Sequence, residues 1–135
     1  MTENTQVQGR GEGKDNWWDN LPRAHWDKFE KIELPEDQDW FEVHKITDTI
    51  YAFYEMGQFE EVISYRILGE RRAILFDTGI GVSDIVSLVA ALTDLPVSVL
   101  NSHIHCDYVG GNHYFKKIYG TLTKYTIDHS AGCTN

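Results

Sequence analysis

The sequence predicts an α+β domain built on a mixed, mainly antiparallel sheet with helices on one face. Residues 41–76 contain short runs of alternating apolar and polar side chains, rich in β-branched and aromatic residues, which is typical of half-buried strands. Apolar residues then recur with a helical period over residues 85–92. The apolar run at 97–100 completes a strand–helix–strand unit, whose two strands should be parallel.

The individual elements follow from this pattern. Four strands, at about 41–46, 50–54, 62–68 and 73–76, should form an antiparallel meander because their connections are short. Ser83-Asp84 is typical of a helix N-cap. Beyond the strand at 97–100, a short helix is expected within residues 112–117, and Ile118–Gly120 should begin another strand.

The chain divides into three parts by composition. Residues 1–16 are polar and glycine-rich and predict a flexible leader. Residues 17–40 carry all four tryptophans, each of which can bury about 200 Å², so this arm is expected to lie irregularly across the sheet. The alternative is that one or two of its rings line a substrate pocket or contact a partner. Residues 41–135 form the main unit.

Composition excludes several classes of function. Acidic residues outnumber basic ones by 21 to 12, and the net charge of −9 opposes binding to nucleic acid or to an anionic membrane. The amino terminus is polar and the sequence has no long apolar run, so we expect neither a secretion signal nor a membrane span. Cys106 and Cys133 do not make a disulfide framework. We therefore expect reduced thiols, a cytoplasmic protein and a small-molecule substrate.

One short segment concentrates candidate metal ligands. In His103-Ile104-His105 the two imidazoles can face one point, because alternate residues of an extended chain share a side. Asp107 continues the series but would lie about 13 Å from His103 on a straight strand. The chain must therefore bend after His105, or Asp107 must serve a second ion or a water. Gly110-Gly111 supplies a bend, since glycine tolerates positive φ and close backbone approach.

This segment resembles the metal-binding signature of the metallo-β-lactamase-fold hydrolases, His-x-His-x-Asp-His followed by a pair of small residues. A second mark of that family, an aspartate that closes an apolar strand before Thr-Gly, stands upstream at Asp77-Thr78-Gly79. The crossover brings Asp77 and His103 to the same edge of the sheet. Asp77 is implied as a supporting residue that orients a ligating histidine or the motif loop. Alternatively, its carboxylate only closes the turn through backbone N–H groups.

The resemblance implies an αββα sandwich, of which residues 40–120 cover only the first half. It also implies metal-dependent hydrolysis of an ester, thioester, lactone or related bond. His103 and His105 would hold the primary ion, which is zinc or alternatively manganese or iron. Asp107 would hold a second ion or accept a proton from the attacking water. The family's remaining ligands come from downstream segments, so the chain is expected to be the amino-terminal part of a longer hydrolase.

Tyr108 stands where the family motif has a histidine. A neutral phenol is a poor zinc ligand at pH 7, so the sequence favours one ion over two. Tyr108 could instead donate a hydrogen bond in a supporting role, as Gly110 and Gly111 support the backbone. Two alternatives to an active hydrolase stay open, a relative with a degenerate metal site that acts in binding or scaffolding, and an inactive fragment.

The remaining expectations concern other histidines and partners. His44 is assigned to the surface, and His113 and His129 are expected to face solvent. Half of a sandwich would leave one apolar sheet face exposed to water. Self-association, or a complementing second half, is therefore expected on that face.

Overall fold

The structure is a computed structural model that describes residues 24–57 and 60–124. The predicted leader and the first part of the arm, with Trp17 and Trp18, lie outside the described residues. His129 and Cys133 also lie outside them.

In the part of the chain that the structure describes, seven strands form one mixed sheet whose spatial order is the order of the chain. The first five run antiparallel to their neighbours, and β5, β6 and β7 are parallel. The bounds are Glu30–Ile32 (β1), Glu42–Lys45 (β2), Ile50–Tyr54 (β3), Ile63–Leu68 (β4), Ala73–Phe76 (β5), Val97–Asn101 (β6) and Ile118–Gly120 (β7). The predicted meander and the parallel crossover are both confirmed.

Helix α1, Ile85–Leu92, connects β5 to β6 and covers one face of the sheet. Asp84 caps it as predicted, because its carboxylate accepts hydrogen bonds from the amides of Val86 and Ser87. The helix buries Ile85, Leu88 and Val89, and complete burial of such side chains contributes about 1.5–3 kcal/mol each. Their partners from the sheet are Val43, Phe53, Leu75 and Val99.

Among residues 24–57 and 60–124, the other face of the sheet is covered mainly at its β2–β4 end. A 3-10 helix, Ala24–Lys28, packs Trp26 over Ala52 and Tyr54 of β3. One row crosses this face through Ala52, Tyr65, Phe76, Leu100 and Tyr119. Exposure rises along it from 0% at Ala52 to 37% at Leu100 and 54% at Tyr119. The apolar surface is therefore open at the β6–β7 end.

His44 does not lie on the surface, so its predicted assignment is wrong. It is 3% exposed, its Nε2 lies 2.7 Å from Glu42 Oε1, and Trp26 stacks on it with ring centroids 4.8 Å apart. Lys31 Nζ lies 2.7 Å from Glu42 Oε2. The buried carboxylate of Glu42 therefore pairs with the buried ring of His44 and with the ammonium group of Lys31, whose side chain is 58% exposed.

The arm is more regular than expected, since Glu30–Ile32 pairs with β2 as an edge strand. A strand of three residues with two charges gives no usable periodicity. The short helix expected within residues 112–117 is a 3-10 turn at Asn112–Tyr114. Among the described residues, no helix is both long and apolar enough to cross a membrane.

Candidate metal centre

The candidate ligands lie at the carboxyl ends of β5 and β6, as the crossover predicts. Asp77 follows β5, Ser102 follows β6, and His103 and His105 occupy the extended segment before a short helix, α2, at Cys106–Val109. Both histidines are exposed, whereas Asp107 and Tyr108 are half-buried. The histidines are therefore accessible from solvent at this edge of the sheet.

His103 is connected to Asp77 through Ser102. Ser102 Oγ lies 2.7 Å from Asp77 Oδ2 and 2.8 Å from His103 Nδ1. Because a carboxylate only accepts and a hydroxyl has one hydrogen, Ser102 donates to Asp77 and accepts from His103 Nδ1–H. This arrangement leaves the Nε2 lone pair of His103 for a ligand.

Asp77 also holds the motif backbone, since its Oδ1 accepts from the amide of Ser102 at 2.8 Å. It is 2% exposed. Its φ is 61°, a left-handed conformation that is uncommon outside glycine and costs on the order of 1 kcal/mol. The two hydrogen bonds to Ser102 help to stabilise that conformation. Asp77 therefore contacts the motif loop rather than only its own turn.

The chain bends directly after His105, which is one of the two possibilities that the spacing left open. His105 is extended, with φ −68° and ψ 146°, and α2 begins at the next residue. The rings of His103 and His105 meet edge to face with centroids 4.7 Å apart. Asp107 lies in the first turn of α2, so the helix replaces the straight strand that would have carried it away.

Gly110 and Gly111 do not supply positive φ, and that part of their expected role is wrong. Their φ values are −58° and −90°. What they allow is close approach, because a Cβ on Gly110 would overlap the carbonyl of Ile80 and one on Gly111 would lie 2.9 Å from Thr78 O. Side chains are excluded where α2 packs against the loop after β5.

Side-chain hydrogen bonds join the loop after β5 to the segment after α2 and to the end of β6. Thr78 Oγ1 donates to Asn112 Oδ1 at 2.9 Å and accepts from the amide of Gly111 at 3.1 Å. Asn112 Nδ2 donates to Asn101 Oδ1 at 2.8 Å, and Asn101 Nδ2 donates to Asn112 Oδ1 at 3.2 Å. These hydrogen bonds hold the end of β6, which is followed by the extended segment with His103 and His105.

Tyr108 packs against the first histidine, with ring centroids 4.5 Å apart. Burial raises the pKa of its phenol, and the negative charges of Asp107 and Asp77 raise it further. The phenol therefore stays neutral near pH 7 and is a poor metal ligand there. It can still donate a hydrogen bond.

Two acidic residues of the β3–β4 connection were not selected from the sequence. A hydrogen bond to Asp107 raises the pKa of the Glu60 carboxyl, with burial the next cause. Glu55 is fully buried behind the loop after β5. Neither belongs to a motif with fixed spacing, so only the folded chain brings them to the site.

Cys106, the first residue of α2, is exposed and disulfide-bonded. Its partner lies outside the described residues. The expectation of a reduced thiol is therefore wrong for Cys106, because a count of two cysteines carries no information on their separation in space.

The donor types suit a metal such as zinc, which accepts imidazole and carboxylate ligands. The free Nε2 of His103 points to the same chemistry. Within residues 24–57 and 60–124, however, no three His, Cys, Asp or Glu side chains are grouped so that they could hold one ion. The described residues therefore do not by themselves form a group of three ligands for one ion.

Comparison with known proteins gives a family and a fold. The family model described as the metallo-beta-lactamase superfamily matches residues 58–129, which is more than half of the chain. No curated protein matches. The DIM-1 metallo-beta-lactamase exposed to ceftazidime superposes with a TM-score of 0.54 at 18% identity, over 75% of this chain and 50% of that chain.

A second crystal structure of DIM-1 metallo-beta-lactamase gives the same TM-score of 0.54 and identity of 18%, over 76% of this chain and 49% of that one. At this identity the likeness shows the fold alone. The chain thus has part of the predicted fold, and it spans about half the length of these solved structures.

Proposed function

The chain belongs to the metallo-beta-lactamase superfamily, and from that premise we propose that it takes part in metal-dependent hydrolysis of an ester, thioester, lactone or related bond in a small molecule. Membership of this superfamily favours a metal-dependent hydrolase. The bond cleaved and the activity itself are the proposal. Fold alone does not select a substrate.

The observation that carries the proposal is the orientation of His103. Its Nδ1 is engaged by Ser102, which in turn is held by Asp77, so Nε2 is available beside the ring of His105. Metal-ligating histidines usually engage their other ring nitrogen in this way, which fixes the tautomer and the ring plane.

The residues would divide the work as follows. His103 and His105 hold a single zinc ion, with manganese or iron as alternatives, and Asp107 holds a water or accepts its proton. When bound, the ion supplies the acidity that lets water act as a nucleophile near neutral pH. Tyr108 donates a hydrogen bond to an anionic oxygen of the substrate, and Asp77, Gly110 and Gly111 support the loop.

Metal binding is the direct test. At equilibrium against a buffer that contains zinc, the purified chain should bind about one equivalent of zinc through His103 and His105, measured by elemental analysis, and His105→Ala should lose it. His25→Ala is the matched control, because His25 is an exposed histidine on the 3-10 helix. A chain that retains no zinc, manganese or iron would contradict the proposal.

Activity needs a separate measurement. An ester, a glutathione thioester and a lactone should be offered to the chain with zinc and with excess chelator. We expect hydrolysis of at least one of them to depend on metal and on His105. Equal rates in the wild type and in His105→Ala would exclude hydrolysis at this site.

Tyr108 favours one alternative, a relative whose metal site has degenerated and which acts in binding or scaffolding. The neutral phenol and the lack of a three-ligand group among the described residues support it. Failure to retain metal, with a folded chain, would favour this alternative. The disulfide at Cys106 removes the argument for a cytoplasmic location that rested on reduced thiols.

A further inference from the structure

Glu55 is a buried carboxylate between the arm and the candidate site. It directly follows β3 and is 1% exposed. Among residues 24–57 and 60–124, ion pairs occur at Lys31, His44 and Lys45, for example, and Glu55 has no cationic partner. A buried carboxyl without a cationic partner is costly unless hydrogen bonds satisfy it.

Two N–H groups from distant segments satisfy this carboxyl. The indole Nε1 of Trp40 donates to Oε1 at 2.8 Å, and the amide of Ile80 donates to Oε2 at 3.1 Å. Burial raises the pKa of Glu55, and these two donors oppose the rise. Asp107 contributes a smaller upward shift to the same pKa, which places its charge within electrostatic range of Glu55.

The contact with the loop after β5 is close enough to exclude a side chain. A Cβ on Gly79 would overlap Glu55 Oε2, and Gly79 has φ +71°. The loop then continues the connection to α2, because Gly79 O accepts from the amide of Gly110 at 2.8 Å. The amide of Thr78 donates to Tyr108 O at 2.8 Å.

We propose that Glu55 is a positioning residue of the metal centre. Its carboxylate fixes the backbone at Gly79 and Ile80, against which α2 packs, and so sets the position of Asp107 relative to His103 and His105. Trp40 donates a hydrogen bond to the other carboxylate oxygen and so helps to fix the Glu55 side chain. The arm is thereby coupled to the site, although Trp40 itself touches no candidate ligand. The part of this inference that concerns metal rests on the proposed function.

Hydrogen exchange tests the positioning in metal-free protein. Glu55→Gln keeps the shape but turns an amide NH2 toward one of the two donors, and Trp40→Phe removes one donor while keeping a ring. In both variants the amides of Ile80 and Gly110 should exchange about five- to tenfold faster. The amide of Val99, which donates to Lys117 O in the sheet, should keep its wild-type rate.

Glu70→Gln is the matched control, because Glu70 is exposed in the β4–β5 turn at the other end of β5. The inference is overturned if Gly110 exchanges in Glu55→Gln as it does in Glu70→Gln. It is also overturned if Val99 accelerates as much as Gly110, since Glu55 would then serve only global stability.

Zinc affinity gives the second readout, measured by competition with a chromophoric chelator well below the melting temperature. Loss of groups that orient metal ligands typically costs about 10–100-fold in affinity, and we expect a weakening in that range for Glu55→Gln. An unchanged zinc affinity in that variant contradicts the inference. A wild type that binds no zinc contradicts the proposed function alone, and the exchange of Gly110 still decides the role of Glu55.

Discussion

His103 illustrates how one side chain is prepared for a ligand by residues that do not touch that ligand. Asp77 accepts from the backbone and the hydroxyl of Ser102, and Ser102 accepts from His103. Asp77 holds an uncommon backbone conformation while it does so. Unusual conformations of this kind cluster at functional sites, which agrees with the place of this chain of hydrogen bonds at the carboxyl edge of the sheet.

Removal of the Ser102 hydroxyl should weaken metal binding without removing a ligand. In Ser102→Ala the Nδ1 of His103 loses its acceptor, so the ring and its tautomer are no longer fixed. We expect zinc affinity to fall about tenfold or more, measured by chelator competition. Ser102→Thr keeps a hydroxyl and should recover most of the affinity. Equal affinity in the alanine and wild-type proteins would show that the hydrogen bond to His103 does not orient a ligand.

Tyr108 offers the complementary change, a gain of a ligand. Tyr108→His restores the histidine of the family motif next to Asp107, so we expect more zinc to be bound per chain at saturation than in the wild type. Elemental analysis after equilibrium dialysis measures this. Tyr108→Phe removes the hydroxyl without adding a ligand and should leave the stoichiometry unchanged. An unchanged stoichiometry in Tyr108→His would mean that the residue at position 108 does not limit the second site.

At the scale of elements, α1 holds β5 and β6 in the register that brings Asp77 beside Ser102. Its N-terminus depends on Asp84, and Asp84→Ala should lower the free energy of unfolding by about 1 kcal/mol at pH 7, measured by urea denaturation. Asp94→Ala is the control, because Asp94 is exposed beyond the end of the helix. If Asp84→Ala lowers the free energy of unfolding no more than Asp94→Ala does, the Asp84 side chain does not stabilise the helix N-terminus.

The same cap should depend on pH in a defined direction. The hydroxyl and amide of Ser87, with the amide of Val86, hold the pKa of Asp84 below its ordinary value. A depressed folded-state pKa gives stability that is present above the unfolded value of about 3.9 and is lost as pH falls through the folded pKa. The difference between wild type and Asp84→Ala should therefore shrink on acidification below about pH 4. If the stability difference between wild type and Asp84→Ala grew on acidification, it would contradict the lowered pKa of Asp84 in the folded chain.

The elements that the sequence predicted are those with local signals. Strands β2 to β5 have alternating or continuous apolar runs joined by short connections, and α1 has both a cap and a period. β6 follows from the crossover, and β7 was expected from the run Ile118–Gly120. β1 was missed because three residues carry no period. His44 was misassigned because its burial depends on Trp26, which is distant in sequence and covers it only in the folded sheet.

The candidate site was predictable to the same extent. His103, His105 and Asp107 stand at a recognisable spacing, and the strand–helix–strand unit places them beside Asp77. Glu55 and Glu60 have no such spacing and reach the site through the β3–β4 connection. Gly110 was selected for positive φ and for close backbone approach. The structure shows the approach, to Ile80, and not the positive φ; the identity of the contacted residue depends on the packed loops.

For the whole molecule, the uneven cover of the sheet is the main physical consequence of the fold. One face packs against α1, whereas on the other face the described residues place Trp26 over β2 and β3, with Ile63 and Tyr65 of β4 packed against that cluster. Toward β7 the row ends in Leu100 and Tyr119, which are 37% and 54% exposed. An exposed apolar row at the edge of a sheet is a surface on which chains associate. The net charge of −9 opposes that association.

We therefore expect copies of this chain to associate through that row, more strongly at high salt than at low salt. Salt screens the repulsion between acidic chains and leaves the apolar contact intact. Sedimentation velocity over a range of concentrations in both salts measures it. Leu100→Lys places a charge in the row and should shift the distribution toward monomer, whereas Val82→Lys changes an exposed residue of the β5–α1 loop and should not. A wild-type chain that stays monomeric at high salt, or that associates more at low salt, would contradict an apolar interface on this face.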